Sequence, residues 1–341
     1  MVSIKDVARV AGVSDKTVSR VVNREANVHR ETQKKVEQAI TRLKYVPNLG
    51  ARQVRTNRSN TIGVMTDLVS TTPYSGDIVR GIYDWAHQIG RTVLISNTGG
   101  DKEEEARGWR VFQEHRIDGV IYATMWHREV ELNRAALPLP TVLVNCFSAV
   151  DPEFPAVIPD DYHGSVKLTG HLLSLGHRRI GYVRLNPTLL AARLRLEGFH
   201  DTMRQHGVPV DESLVVEGMF GEVGHDNNVA FESTLELLAR HPRPTAIMCG
   251  NDEIAMPVYC AVLAAKLRIP DDISIVGFDD FQTVAHGLRP DLTTAALPYH
   301  ALGRDAAQRL EAVLLGQKPE IGVLKADCAL VNRHSTGRAR S

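Results

Sequence analysis

The apolar positions of the first sixty residues repeat with helical spacing. Ser3 and Asp6 form an S-x-x-D start, and Val7, Ala8 and Ala11 then fall on one face. Gly12 ends that helix and allows a tight turn. Ser14 is placed to cap a second helix carrying Val18, Val21 and Val22 on one side. A third helix is expected over about residues 31–44, apolar at Val36, Ala39, Ile40 and Leu43, with Pro47 ending it. Its entry, V-H-R-E-T, puts His29 at the cap.

The pattern changes at residue 61. Short β-rich runs alternate with amphipathic helices: T-I-G-V-M (61–65), T-V-L-I (92–95), G-V-I-Y (119–122) and T-V-L-V (141–144). Between the first two, Ile78, Ile82, Trp85 and Ile89 share a helix face. A second series follows: I-G-Y-V (180–183), S-L-V-V (213–216), A-I-M-C (246–249) and I-S-I-V-G (273–277). Near-continuous apolar strands alternating with helices predict parallel sheets covered on both faces, here as two α/β lobes of similar construction.

Net charge is zero over 341 residues, but it is unevenly spread. Residues 1–60 hold 13 Lys and Arg against 5 Asp and Glu, net +8; the remainder holds 27 against 35, net −8. A basic N-terminal segment on an acidic body is a footprint for a polyanion, and on charge alone a basic surface helix without a partner fits nearly as well. Two helices joined at a glycine, with small Ala8 where the second must come close and Val18 placed between them, make a helix-turn-helix unit rather than a plain helical hairpin. Cys146, Cys249, Cys260 and Cys328 have no metal or redox spacing and read as buried free thiols. The N-terminus lacks the apolar core of a secretion signal, and no run approaches the roughly 18 apolar residues of a membrane span, so a cytoplasmic protein is expected.

The run I-K-D-V-A-R-V-A-G-V-S-D-K-T-V-S-R-V-V-N, from Ile4 to Asn23, resembles the headpiece of the lactose/galactose repressor (LacI/GalR) family. Y-V-P-N (45–48) and A-R-Q-V-R (51–55) are similar to that family's third-helix end and hinge helix. The resemblance implies a headpiece at 1–46, a linker at 47–60 and an effector-binding and dimerisation body at 61–341. In such headpieces the N-terminal part of the recognition helix reads base edges in the major groove. That helix offers Asp15 and Lys16, with Arg20 one turn on. Asp15 reads equally as a first-turn carboxylate complementing the helix dipole. Ser14, Thr17 and Ser19 suit capping or phosphate contacts, and the resemblance adds Asn23 to the DNA-binding set. The hinge implies Arg52 and Arg55 on phosphates and an apolar minor-groove wedge, usually Leu and here Val54. One headpiece contacts few bases, so a homodimer on a near-palindromic operator is expected.

For the body, the resemblance implies a periplasmic-binding-protein-like fold of two doubly wound lobes. The N-lobe takes about 61–160 and 293–325, and the C-lobe takes about 161–292 and 326–341. Its marks are L-G-H-R-R-I-G-Y-V (175–183), A-R-L-R-L-E-G-F (192–199), P-T-A-I-M-C-G-N-D (244–252) and D-I-S-I-V-G-F-D-D (272–280). Ligands of open α/β sheets sit beyond the carboxyl ends of the strands. Here those ends carry Asn145, Asp160, Asp161, Asn251, Asp279 and Asp280, with Arg195 on a helix and the rings Tyr74, Trp126, Phe220 and Tyr299. Such groups suit an uncharged polyol: hydroxyls donate and accept, and a pyranose face lies on a ring. By resemblance, Arg195, Asn251 and Asp279 are effector contacts, as are Phe220 and Tyr299. His163 stands where some relatives carry an acidic contact. Asp252 and Asp280 read as caps as readily as ligands, and Trp126 as a packing residue. No cofactor is implied. The expected effector is a neutral mono- or disaccharide that releases the repressor. A purine-like corepressor or a phosphoprotein partner is the alternative. A sugar-processing enzyme is a further alternative, since this sheet architecture hosts many enzymes, but it leaves the headpiece unexplained.

Overall fold

The computed structural model describes residues 2–22, 28–45, 59–70, 75–317 and 321–340. It forms two compact units, residues 1–59 and 60–341.

In the first unit, helix α1 (Ile4–Ala11) begins with a complete capping box. Ser3 Oγ accepts from the Asp6 amide, and the Asp6 carboxylate accepts from the Ser3 amide at 3.0 Å. Its last turn closes at Gly12, whose left-handed φ of 68° suits a residue without Cβ. Helix α2 (Asp15–Val22) is capped by Ser14, whose Oγ accepts from the Thr17 amide at 3.2 Å. Helix α3 (Arg30–Leu43) starts at His29 without a side-chain cap, the weakness that a histidine in place of Ser or Thr predicts. Val7, Ala8, Val18, Val21, Val36 and Ala39 close the core, with Val7, Val18 and Val36 fully buried.

The second unit holds two six-stranded sheets. The first contains β1 (Thr61–Thr66), β2 (Thr92–Asn97), β3 (Gly119–Val130), β4 (Thr141–Ser148), β5 (Ala156–Pro159) and β13 (Val323–Ala326) in the order β13-β5-β4-β3-β1-β2. Its strand pairs are all parallel among the described residues. Helices α4 (Gly76–Gln88), α5 (Lys102–Glu114) and α11 (Tyr299–Leu314) cover it. Helices α4 and α11 approach through glycines. A Cβ on Gly81 would stand 2.0 Å from the His300 carbonyl oxygen, and one on Gly303 would stand 2.0 Å from that of Ile78. The second sheet contains β6 (Ile180–Arg184), β7 (Val215–Glu217), β10 (Ala246–Cys249), β11 (Ser274–Asp279), β12 (Thr293–Ala296) and β14 (Ala329–Val331) in the order β14-β12-β11-β10-β6-β7. Only β14 runs antiparallel to its neighbour among the described pairs. Helices α6 (Asp161–Ser174), α7 (Leu190–Gln205), α8 (Ala230–Leu238) and α9 (Asp252–Ala264) flank it, a short α10 (Gln282–Ala285) packs on α9, and a hairpin of β8 (Met219–Phe220) and β9 (Asn227–Asn228) stands apart.

The chain passes between the sheets at 159–161, 296–299 and 326–329. The second passage falls after β12, not before it as the sequence reading has it. T-T-A-A (293–296) is short and weakly apolar, yet Thr293 and Thr294 are fully buried and the strand pairs with β11. The break is set by Pro298, which leads into α11. The segment at 213–216 also differs: residues 212–214 form a 3₁₀ turn and β7 begins at Val215. Of the four cysteines, Cys146, Cys249 and Cys328 are buried, whereas Cys260 is exposed on α9. His177 of the L-G-H turn is buried, and its ring nitrogens meet Thr245 Oγ1 at 2.9 Å, Ser274 Oγ at 3.0 Å and the Gly337 carbonyl at 3.0 Å. Burial holds its pKa below 6.5.

Candidate functional site

In the first unit, the N-terminal half of α2 places Ser14, Asp15 and Lys16 at the surface, with Arg20 exposed one turn on. Thr17 and Ser19 are half-buried. The Ser14 and Thr17 hydroxyls lie 2.9 Å apart, so both take part in the cap. Exposed donors at the start of a short helix packed on a Val–Ala core are what major-groove reading requires. Asn23, Arg52, Val54 and Arg55 lie outside the described residues, as does Tyr74 of the body.

In the second unit, the carboxyl ends of the two sheets carry the polar cluster. Strand β3 is longer than its sequence suggests. Its register against β4 shifts between Ala123 and Arg128, a bulge that re-aims two consecutive side chains, Trp126 and His127. Asn145 holds the bulge. Its φ is 57°, and its Nδ2 donates to the carbonyls of Thr124 at 2.9 Å and Met125 at 2.8 Å. Thr124 Oγ1 returns a bond to the Asn145 carbonyl at 2.9 Å. From the end of β1, Asp67 Oδ1 accepts from the Met125 amide at 2.9 Å, and its other oxygen pairs with Arg128 at 3.0 Å. Asn145, expected to meet the effector, thus spends both amide protons on the strand beside it.

Arg195 lies at the centre with 4% of its surface exposed. Its Nε donates to Asp161 Oδ1 at 2.8 Å, and its Nη1 donates to the Gly250 carbonyl at 2.7 Å. Nη1 also stands 3.1 Å from Asp279 Oδ1, an ion-pair contact too bent to count as a hydrogen bond. The guanidinium carbon sits 3.7 Å above the Phe278 ring. The second Asp161 oxygen meets His127 Nδ1 at 2.8 Å. Burial alone would raise the pKa of Asp161; Arg195 and His127 outweigh it and hold the carboxyl below its ordinary value. Asp279 goes the other way. Burial pushes it up to about 7, against the pull of Arg195 and with the help of Asp161. Asp279 and Asp280 both have positive φ, 119° and 54°, a costly backbone for non-glycine residues. Asp280 is tied to Arg333 at 2.6 Å.

Several expected ligands act as caps. Asn251 accepts from the Ile254 amide at 2.9 Å and starts α9. Asp160 accepts from the His163 amide at 3.2 Å and pairs with that ring at 2.8 Å, starting α6. Asp252 is no cap: its oxygens accept from the Phe281 amide at 2.8 Å and from Thr294 Oγ1 at 2.7 Å. Asp279 and Tyr299 do come together, lining a cavity of about 540 Å³ with Asp77, Phe281 and Leu297. That volume suits a small-molecule ligand. Burial, then Asp279, raises the Tyr299 phenol pKa and keeps it neutral. Phe220 stands exposed on its hairpin. The loop after it is anchored by Asn186, which donates to the Gly221 carbonyl at 2.9 Å and to Asp226. Trp126 faces that loop; a Cβ on Gly224 would lie 3.8 Å from its ring.

Sequence reading missed His127 and Asp67. Both follow strand runs that seemed to end earlier, and the available signal was M-W-H-R-E continuing β3 past its apolar part. Among the described residues no group of His, Cys, Asp and Glu could hold a metal ion, and no helix is long and apolar enough to cross a membrane.

Residues 3–48 match the bacterial regulatory proteins of the lacI family, and residues 59–333 match the periplasmic binding proteins and sugar binding domain of the LacI family. The chain is 36% identical over 340 residues to the sucrose operon repressor of Escherichia coli, covering 98% of this chain and 100% of that one. A Rhizobium etli structure described as a transcriptional regulator of the LacI family superposes with a TM-score of 0.79 at 52% identity, covering 82% of this chain and all of that one. The Lac repressor dimer bound to operator superposes with a TM-score of 0.78 at 28% identity, covering 98% of this chain and 99% of that one. The two matched segments take in both units of the fold, and the chain belongs to the LacI family of bacterial regulatory proteins.

Proposed function

We propose that this protein is a sequence-specific DNA-binding repressor of carbohydrate-use genes, acting in the cytoplasm as a homodimer on a near-palindromic operator and released by a neutral mono- or disaccharide. It is a regulator rather than an enzyme. The observation that carries the sugar reading is the cavity walled by Asp279 and Tyr299 beside a guanidinium that already has partners. Arg195 divides its charge between Asp161 and Asp279, and Asp77 adds another carboxylate to the wall. A phosphorylated or otherwise anionic ligand meets repulsion there, whereas hydroxyls find acceptors and a ring to lie on. The relatives support the same reading: one bears the name sucrose operon repressor, and another is a repressor dimer on operator. In the headpiece, Lys16 and Arg20 supply base or phosphate contacts, with Ser14, Thr17 and Ser19 beside them.

The test is a thermal-shift screen of the full chain against sucrose, other mono- and disaccharides, nucleobases and sugar phosphates, followed by operator binding with each hit. A ligand at a hundred times its Kd stabilises the native state by about 2.7 kcal/mol. A neutral sugar is expected to raise the melting point and weaken operator binding. Stabilisation by a nucleobase alone, with tighter operator binding, replaces induction by corepression. Stabilisation only by sugar phosphates refutes the neutral-ligand reading.

A further inference from the structure

The bulge in β3 sends two neighbouring side chains out of the first lobe toward the second. His127 belongs to β3, yet its Nδ1 lies 2.8 Å from Asp161, the first residue of α6, which packs on the second sheet. Asp161 follows directly on the 159–161 passage between lobes. The His127 ring is 3% exposed and the Asp161 carboxylate 0%, so water does not compete for the bond. A carboxylate held below its ordinary pKa is ionised and only accepts, so Nδ1 donates. The ring is set by an edge contact with Phe147 at 5.8 Å between centroids, and its Nε2 is buried without a hydrogen-bond partner among the described residues. That leaves Asp161 as the one polar contact fixing the ring among those residues. The bulge itself is held by Asn145 and Asp67. Beside His127, Trp126 faces Gly224 of the second lobe's hairpin loop.

We propose that this bulge is an inter-lobe latch, in which His127 is a positioning residue that pins the first passage at Asp161 and so sets both the angle between lobes and the orientation of Arg195. Asp161 spends one oxygen on His127 and the other on Arg195, which in turn reaches Asp279 at the cavity. Strain applied at Asp279 therefore arrives, through three polar contacts, on a strand of the other lobe. Two-state elements of this kind are how a local contact becomes a change of lobe angle. The latch requires no particular ligand. Only its use by an effector rests on the function proposed above.

The test uses the full chain without ligand. Nitroxides are attached at Glu104→Cys on α5 and Arg204→Cys on α7, both exposed, with Cys260→Ser to remove the exposed thiol. Doubly labelled chains are diluted into unlabelled ones so that each dimer carries one labelled subunit, and pulsed spin resonance gives the inter-lobe distance distribution. A narrow distribution is expected for the parent. His127→Phe keeps the ring's bulk and loses the donor; its distribution should shift or broaden about twofold. His127→Asn, whose amide nitrogen sits where Nδ1 does, should restore the parent distribution. An unchanged distribution in His127→Phe, even with a lowered melting point, overturns the latch and leaves a packing role. If the Phe variant does not fold, Asn against Gln decides. The longer Gln should move the distribution and Asn should not; equal distributions overturn the proposal. A negative result here leaves the sugar screen untouched, and a negative screen leaves the latch untouched.

Discussion

Arg195→Ala is expected to destabilise the body severely, before any question of ligand arises. Among the described residues, Arg195 is the only Arg or Lys paired with Asp161, whose side chain is 0% exposed, and the substitution leaves the carboxylate with the His127 ring alone. It also strips the donor from the Gly250 carbonyl and empties the space 3.7 Å above the Phe278 ring. Breaking a buried pair by deleting one partner costs about 3–5 kcal/mol, because the surviving charge stays desolvated. For a domain of this size each kcal/mol moves the midpoint by about 2 °C, so melting should fall by about 6–10 °C. The measurement is thermal and urea unfolding of the full chain for Arg195→Ala, Asp161→Asn and the double variant. Removing both charges should recover part of the loss, with a coupling energy of at least about 1 kcal/mol. A single variant melting within about 1 °C of the parent, or strictly additive losses, would refute the reasoning and return Arg195 to the role of an unencumbered ligand donor.

Asp279→Asn tests the carboxyl that burial raises to about 7. Between pH 4 and 7 the native protein keeps a proton that the unfolded chain, with an ordinary value of 3.8, has released, so this group's contribution falls as pH rises through that window. The Asn variant should therefore gain stability over the parent from pH 5 to pH 8, and a constant difference across that range would contradict the assignment. Gly81→Ala gains helix propensity but places a Cβ 2.0 Å from the His300 carbonyl oxygen; overpacking costs about 1–3 kcal/mol, so melting should drop, and a rise would show that α4 and α11 separate freely. Arg20→Ala should weaken specific operator binding by about 1–3 kcal/mol in gel shifts while leaving ligand-induced stabilisation of the body intact; unchanged affinity and base preference would remove Arg20 from the readout.

The parts of the fold written in local chemistry were legible in the sequence. The capping box at Ser3 and Asp6, the Gly12 stop, the Ser14 cap and the bare His29 start each depend on a few adjacent residues. Strand cores such as I-G-Y-V (180–183) were legible for the same reason, being apolar on both faces. Strand β12 was not: T-T-A-A owes its burial to partners far along the chain, including Ser335 Oγ, which accepts from the Thr293 amide at 2.8 Å. The β3 bulge was hidden likewise, since Asn145 comes from β4 and Asp67 from the bend that follows β1.

The cleft shows where residue chemistry stops being a guide to role. Asn251, Asp160 and Asn145 are polar residues at strand ends, as a ligand site needs, yet helix starts and a bulge occupy the same ends and need the same acceptors and donors. The competing demand takes their strongest bonds. Asp279 differs because its neighbours leave it unsatisfied: burial opposes its charge, its backbone is held at φ 119°, and Arg195 meets it only at a bent angle. A ligand gains most by supplying what the protein withholds, and differential affinity between states is what shifts an equilibrium. A hydroxyl donating to Asp279 relieves one of these penalties in the arrangement it favours and not in others. On the function proposed here, the residue that costs the empty protein stability is also the one from which a bound sugar would draw the energy to move the lobes.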